Sequence, residues 1–103
     1  MGYSVIRYGV KNGSIEENRG LVEKVFEELN RSAPAALQYL VLELEDGEFV
    51  HVVGEGNVAS PLPQLGAFKA FTEHHGERRA TPTSRKSARI VGNYRMIAAA
   101  KPE

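Results

Sequence analysis

Leu37-Gln-Tyr-Leu-Val-Leu-Glu-Leu-Glu-Asp46-Gly47-Glu-Phe-Val-His-Val-Val-Gly-Glu55 is the stretch whose reading decides the fold. Asp46-Gly47 joins two runs rich in β-branched and aliphatic residues, the pattern of a tight hairpin. A two-residue loop there would oppose Glu45 to Glu48, Leu44 to Phe49, Glu43 to Val50, Leu42 to His51, Val41 to Val52 and Leu40 to Val53. Side chains alternate along a strand, so one face would carry Leu40, Leu42, Leu44, Phe49, His51 and Val53. The other would carry Tyr39, Val41, Val50 and Val52, giving way to Glu43, Glu45 and Glu48 toward the turn. His51 is then the single ionisable group on an otherwise apolar face, and the first functional candidate.

Outward from the hairpin, Tyr3 to Lys11 alternates and is closed by Asn12-Gly13, as a first strand would be. Ser14-Ile-Glu-Glu17 reads as a capping box that opens a helix. Leu21, Val22, Val25, Phe26 and Leu29 continue it at helical spacing to about Arg31, before Pro34. Ser60-Pro-Leu-Pro63 supplies an N-cap and first turn for a second helix from Pro63 to His75. Its stripe of Leu65, Phe68, Phe71 and Thr72 would carry His75 inward, with Gly76 as the stop. Residues 77–87 lack a period and read as an exposed loop, and Ala88 to Ala98 reads as the last strand.

The chain of 103 residues is expected to form one domain, 1–103, with a core over 3–98. With 42% hydrophobic and 25% charged residues it has an ordinary globular composition. The absence of cysteine excludes disulfides and thiolate zinc sites, and suits a cytoplasmic protein. Met1 to Val10 has no apolar core of a signal peptide, and no apolar run is long enough to span a membrane. Charge is neutral in total, yet residues 1–55 hold ten acids and five bases while residues 56–103 hold three acids and eight bases. A neutral total argues against a nucleic-acid partner, and the basic run Arg78, Arg79, Arg85, Lys86 and Arg89 has no interleaved aromatics.

Strand, helix, strand, strand, helix, strand is the ferredoxin-like βαββαβ plan: an α+β fold with a four-stranded antiparallel sheet and two helices on one face. The other face has no cover. An apolar sheet centre left open is a patch that soluble monomers avoid, so a homodimer through that face is expected. Arg7 would lie there, opposite Glu43 of the second copy.

Four segments carry a resemblance: Tyr3-Ser-Val-Ile-Arg-Tyr-Gly-Val-Lys11, Asp46-Gly-Glu-Phe-Val-His-Val52, Leu65-Gly-Ala-Phe-Lys-Ala-Phe71 and Val91-Gly-Asn-Tyr-Arg-Met-Ile97. In element order and apolar pattern, Tyr3 to Ile97 resembles the dimeric α/β-barrel proteins related to antibiotic biosynthesis monooxygenases. That resemblance implies a small-molecule pocket between sheet and helices, a small aromatic ligand and, in its oxygenase members, catalysis without a cofactor. Members with no known activity share the fold, and fold alone does not choose among them. The haem-degrading relatives use a pocket tryptophan and asparagine; this chain has no Trp, and its first strand offers only Ser4, Arg7 and Tyr8.

His51 and His75 are the catalytic candidates. Two neutral imidazoles in an apolar cavity suit proton abstraction near neutral pH, since burial leaves a free base. Tyr8, Phe68, Phe71, Asn93 and Tyr94 are the substrate-binding candidates, by stacking or by hydrogen bonds to substrate oxygens. A strand histidine bonded to a backbone carbonyl and a helix-end histidine exposed to water account for the same residues without chemistry. A metal site is not expected, because adjacent His74 and His75 point about 100° apart on a helix, and no ligand spacing joins His51 and His75 to Glu73 or Glu55. The enzyme and a non-catalytic binding or assembly module are separated by one measurable quantity: a ligand pocket of roughly 300 Å³ or more reaching His51.

Overall fold

The computed structural model describes residues 2–35, 37–55 and 60–97. Strands β1 (Gly2–Gly9), β2 (Leu37–Glu43), β3 (Glu48–Glu55) and β4 (Ser84–Ala88) form one antiparallel sheet in the order β2-β3-β1-β4. Helix α1 (Ile15–Ser32) joins β1 to β2, and α2 (Gly66–Thr72) with the short α3 (His75–Arg78) joins β3 to β4. This is the ferredoxin-like α+β arrangement that the element order predicts. Its core is one cluster in which Tyr8 and Phe49 of the sheet meet Val22 and Val25 of α1 and Phe71 of α2.

Helix α1 forms because its apolar residues recur on one stripe, burying Val22 and Val25 while Glu23 and Lys24 face solvent. Its start differs from the expected capping box. Ser14 closes a 3-10 turn over Asn12–Ser14, its N–H donating to the Lys11 carbonyl at 2.8 Å, and so has a near-helical ψ of 2°. Without the extended backbone of an N-cap its side chain makes no capping bond. The far end stops on Ala33, left-handed at φ 45°, whose N–H returns to the Leu29 carbonyl at 2.7 Å.

The hairpin is real, but its register is one residue away from the two-residue-loop reading. Val41 opposes His51, Leu42 opposes Val50 and Glu43 opposes Phe49. The Gly47 N–H donates to the Leu44 carbonyl at 3.1 Å, and the Leu44 N–H to the Glu48 carbonyl at 2.8 Å. These two bonds enclose a three-residue loop, Glu45-Asp46-Gly47, in which Gly47 alone takes positive φ, 86°. That is the type I turn with a glycine bulge. A one-residue slip reverses a whole strand, so Tyr39 and Val41 turn to the helix side with Phe49, His51 and Val53. Leu40, Leu42 and Leu44 turn to the open face and are 47%, 45% and 37% exposed.

The last strand also lies elsewhere than expected. Ser84–Ala88 pairs with β1, its residues Ser84 to Ser87 inside the 77–87 segment that lacks periodicity and Ala88 alone in the expected strand, whereas Arg89 to Ile97 leaves the sheet; Ala98 lies outside the described residues. β4 is an edge strand, and a polar Ser-Arg-Lys-Ser edge carries no apolar alternation to read. Beyond it, Asn93 Oδ1 accepts from the N–H groups of Met96 at 3.1 Å and Ile97 at 3.0 Å. Arg7 does not wait for a partner's Glu43: it pairs with Glu48 of its own chain at 2.6 Å, and Glu43 with Arg19 at 2.7 Å.

Candidate functional site

The parity of β1 and β3 sends Ile6, Tyr8, Phe49, His51 and Val53 toward the helices, and α2 lays Phe68 and Phe71 over them. The second helix does not run on to His75. It ends at Thr72, Glu73 is extended, and His74 takes a left-handed φ of 59°, so that His75 begins α3 in a new direction. Arg78 secures this break: its guanidinium donates to the Phe71 carbonyl and, at 3.1 Å, to the Glu73 carbonyl, groups that a helix end leaves unpaired. His75 thus reaches the sheet by a kink. Its ring meets Tyr8 edge-on at 4.5 Å between centroids and Phe71 at 5.0 Å, while Phe71 lies 5.5 Å from His51.

These rings border a cavity of about 330 Å³ that includes both His51 and His75. Tyr8, Phe68, Phe71 and Val53 form its aromatic and apolar walls, and exposed Arg85 of β4 borders it from the solvent side. A larger open groove of about 700 Å³ follows α1 and the edge of β2, bordered by the Arg19 and Glu43 pair, and contains no imidazole.

Behind the cavity runs a buried polar chain. His51 Nε2 lies 2.7 Å from the Tyr8 hydroxyl and its Nδ1 2.8 Å from the Tyr39 hydroxyl. Asn18 Nδ2 donates to the Tyr8 oxygen at 3.2 Å, and Arg78 Nε donates to Asn18 Oδ1 at 3.0 Å. Asn18, Tyr8, Arg78 and His51 are all buried. Burial, then the neighbouring His75, pulls His51 down to about 4. Burial, then the positive Arg78 and Arg79, pulls His75 down to about 4 as well. Both imidazoles are therefore neutral at pH 7. Burial pushes the Tyr8 phenol up to about 12 against the opposing pull of Asn18 and the arginines, and burial also raises Tyr39. The site holds neutral phenols and neutral bases beside a cation.

Of the residues singled out from sequence, Tyr8, His51, Phe68, Phe71 and His75 border this one cavity. Asn93 and Tyr94 do not: they follow β4, where Asn93 is tied to the backbone of Met96 and Ile97 and Tyr94 is 78% exposed. Four further residues take part. The two-residue register puts Tyr39 on the other face, and Arg78 and Arg85 read as part of a basic loop. Asn18 alone left a clear signal, a polar residue four before Val22 and seven before Val25 on the buried stripe of α1. Among the described residues no three His, Asp or Glu side chains gather as a metal site, and no helix is long and apolar enough to cross a membrane.

No protein-family model and no curated protein matches the chain. Solved structures do. A crystal structure described as an antibiotic biosynthesis monooxygenase superposes with a TM-score of 0.67 at 16% identity, covering 89% of this chain and 100% of that one. A protein of unknown function from Nitrosomonas europaea gives 0.71 at 11% identity, over 96% of this chain and 95% of that one. A conserved Methanosarcina mazei protein gives 0.61 at 22% identity, over 86% and 92%. The chain has the fold of the antibiotic biosynthesis monooxygenase-like, ferredoxin-like α/β proteins. At such identities the likeness concerns the fold.

Proposed function

We propose that this protein binds a small aromatic or polyketide-like molecule in the cavity between sheet and helices and oxidises it as a cofactor-independent monooxygenase, working as a homodimer. The observation that carries the reading is the cavity itself: about 330 Å³, walled by aromatic rings and reached by two neutral imidazoles, His51 and His75. That volume lies at the lower end of ligand pockets. In the proposed reaction an imidazole takes the proton of a phenolic or enolic substrate, and the electron-rich anion reacts with dioxygen. The substrate supplies all the electrons: an activated CH₂ becomes a carbonyl, one oxygen atom enters the product and the other leaves as water. Tyr8, Phe68 and Phe71 would hold the flat ring.

The dimer is supported by the open sheet face, where Leu40 and Leu42 lie beside Val50 and Val52, and by the exposed Val91, Tyr94 and Met96 after β4. Large exposed apolar patches are ordinarily covered. The corrected register changes which residues a second copy would cover, replacing Tyr39 and Val41 by Leu40 and Leu42. Light scattering should give twice the chain mass, and Leu42→Glu should give the monomer; a monomeric wild type would refute this part. Without cysteine the chain suits the reducing cytoplasm, where we place it.

The test of activity is oxygen consumption with anthrone and 1-naphthol, corrected for uncatalysed oxidation. Turnover lost in His75→Gln supports the enzyme. Saturable binding of either compound without oxygen uptake favours the alternative, a non-catalytic binding or assembly module whose dimer is the functional unit.

A further inference from the structure

The two imidazoles of the cavity differ in what their nitrogens already hold. Arg78 Nε carries a hydrogen and can only donate, so its contact at 3.0 Å must be the oxygen of the Asn18 amide. That fixes the amide, and Asn18 Nδ2, a donor, must then face the Tyr8 oxygen, as it does at 3.2 Å. The Tyr8 oxygen thus already accepts one bond. Its own hydrogen has His51 Nε2 within 2.7 Å. If Nε2 carried the hydrogen instead, the Tyr8 hydroxyl hydrogen would be left without that partner in a residue only 2% exposed, and an unmade buried hydrogen bond is costly. Tyr8 therefore donates to His51 Nε2, and His51 Nδ1–H donates to the Tyr39 oxygen, 2.8 Å away. A single direction runs from Arg78 through Asn18, Tyr8 and His51 to Tyr39.

In that arrangement neither nitrogen of His51 is free to take a proton from a ligand. His75 differs: its Nε2 is buried without a hydrogen-bond partner, a condition shared among the described residues only by Arg79 Nε. Its ring borders the cavity together with Arg85, and no carboxylate lines that cavity among the described residues.

We infer that His75 Nε2 is the proton acceptor of this site, that His51 is a positioning residue locked between Tyr8 and Tyr39, and that Arg78 and Asn18 set the direction of the lock. This division of labour rests on the proposed ligand with an acidic hydroxyl. In the step assigned to His75 the ligand O–H bond breaks, an N–H bond forms at Nε2, and the electron pair stays on the ligand oxygen. The resulting anion lies in a cavity with Arg85 and the new imidazolium on its border. The depressed basicity of His75 keeps it unprotonated at pH 7.

Asn18→Asp tests the direction without changing side-chain shape. The new carboxylate still accepts from Arg78, but it cannot donate to Tyr8; the Tyr8 hydroxyl should turn toward it, accept from His51 Nε2 and reverse the chain. Long-range ¹H–¹⁵N correlation spectra of the histidine-labelled full chain read the tautomer directly. The wild type should show His51 as the Nδ1–H tautomer and Asn18→Asp as the Nε2–H tautomer, and adding 1-naphthol should shift Nε2 of His75. If Asn18→Asp does not fold, Tyr8→Phe takes its place, where the preference of His51 for Nδ1–H should be lost. An Nε2–H tautomer in the wild type would overturn the inference, as would a ligand shift at His51 Nε2 with His75 unmoved. A 1-naphthol titration that moves no imidazole would instead refute the ligand reading beneath it.

Discussion

Lowering the pH from 7 to 4.5 should destabilise this protein, because His51 is buried as a neutral base. Its folded value is about 4 against an ordinary 6.5. As the pH falls below 6.5 the unfolded chain takes up the proton first, so stability present above 6.5 is lost progressively until the folded group titrates near 4. At about 1.4 kcal/mol per unit the full loss is about 3 kcal/mol, of which about 2 kcal/mol is reached by pH 4.5. His75 adds in the same direction. For a domain whose total stability is on the order of 5–15 kcal/mol this is a large fraction. Urea unfolding followed by circular dichroism should show the midpoint falling by roughly 1 to 2 M over that range. His51→Gln should start less stable, since Tyr8 and Tyr39 lose an imidazole partner, yet show a shallower pH dependence. A wild-type midpoint that does not move between pH 7 and 4.5 would refute the neutral buried imidazole, and with it the picture of a site poised to accept protons.

Three substitutions probe the parts that build the site. Gly47→Ala places a Cβ at φ 86°, 3.1 Å from Ile15 Cδ1, and should cost about 1 to 2 kcal/mol; an unchanged thermal midpoint would mean that the three-residue loop is not the one adopted. Phe49→Ala removes a ring that is 1% exposed and stacked at 5.9 Å on Tyr8, for an expected loss of about 3 to 5 kcal/mol in urea unfolding. A loss below about 1 kcal/mol would remove Phe49 from the core. Tyr39→Phe takes away the acceptor of His51 Nδ1–H and should cost about 1 to 3 kcal/mol, measured the same way. A neutral Tyr39→Phe would place Tyr39 on the open face, as the two-residue loop requires.

How much was legible in the sequence follows from where its patterns were redundant and where they were not. The first strand, α1 and the inward set Phe49, His51 and Val53 rest on legible periodicities, whereas β4, a polar edge strand, has none and lies before the stretch that reads as a strand. The partner strand β2 does not: Leu40, Leu42 and Leu44 are as apolar as Tyr39 and Val41, so burial could not choose between its faces. Asp46-Gly47 fits a two-residue loop and a three-residue loop equally well, and only the hydrogen bonds of Leu44 with Gly47 and Glu48 distinguish them. The cost of that ambiguity fell on function, because Tyr39 is one of the two phenols that hold His51.

The helical stripe brings His75 inward only by continuing a helix that in fact stops at Thr72. The agreement of outcome hides a difference of cause. A continued helix would have carried His75 as one more residue of the stripe. The break at Glu73 and His74 lets Arg78 turn back onto the end of α2, donate to its carbonyls and reach Asn18. The residue that stabilises the kink is therefore the one that starts the polar chain toward His51. Arg78 read as a loop cation because its partners are two backbone carbonyls and an amide from another helix, none of which leaves a charge pattern in sequence. The same arginine is a guanidinium 3% exposed and bonded to neutral acceptors, close behind the cavity wall. Among the described residues it has no carboxylate partner, and such a buried cation destabilises a positive neighbour and favours a negative one. That charge works against protonation of the resting His75, and it favours a ligand that becomes an anion in the same cavity.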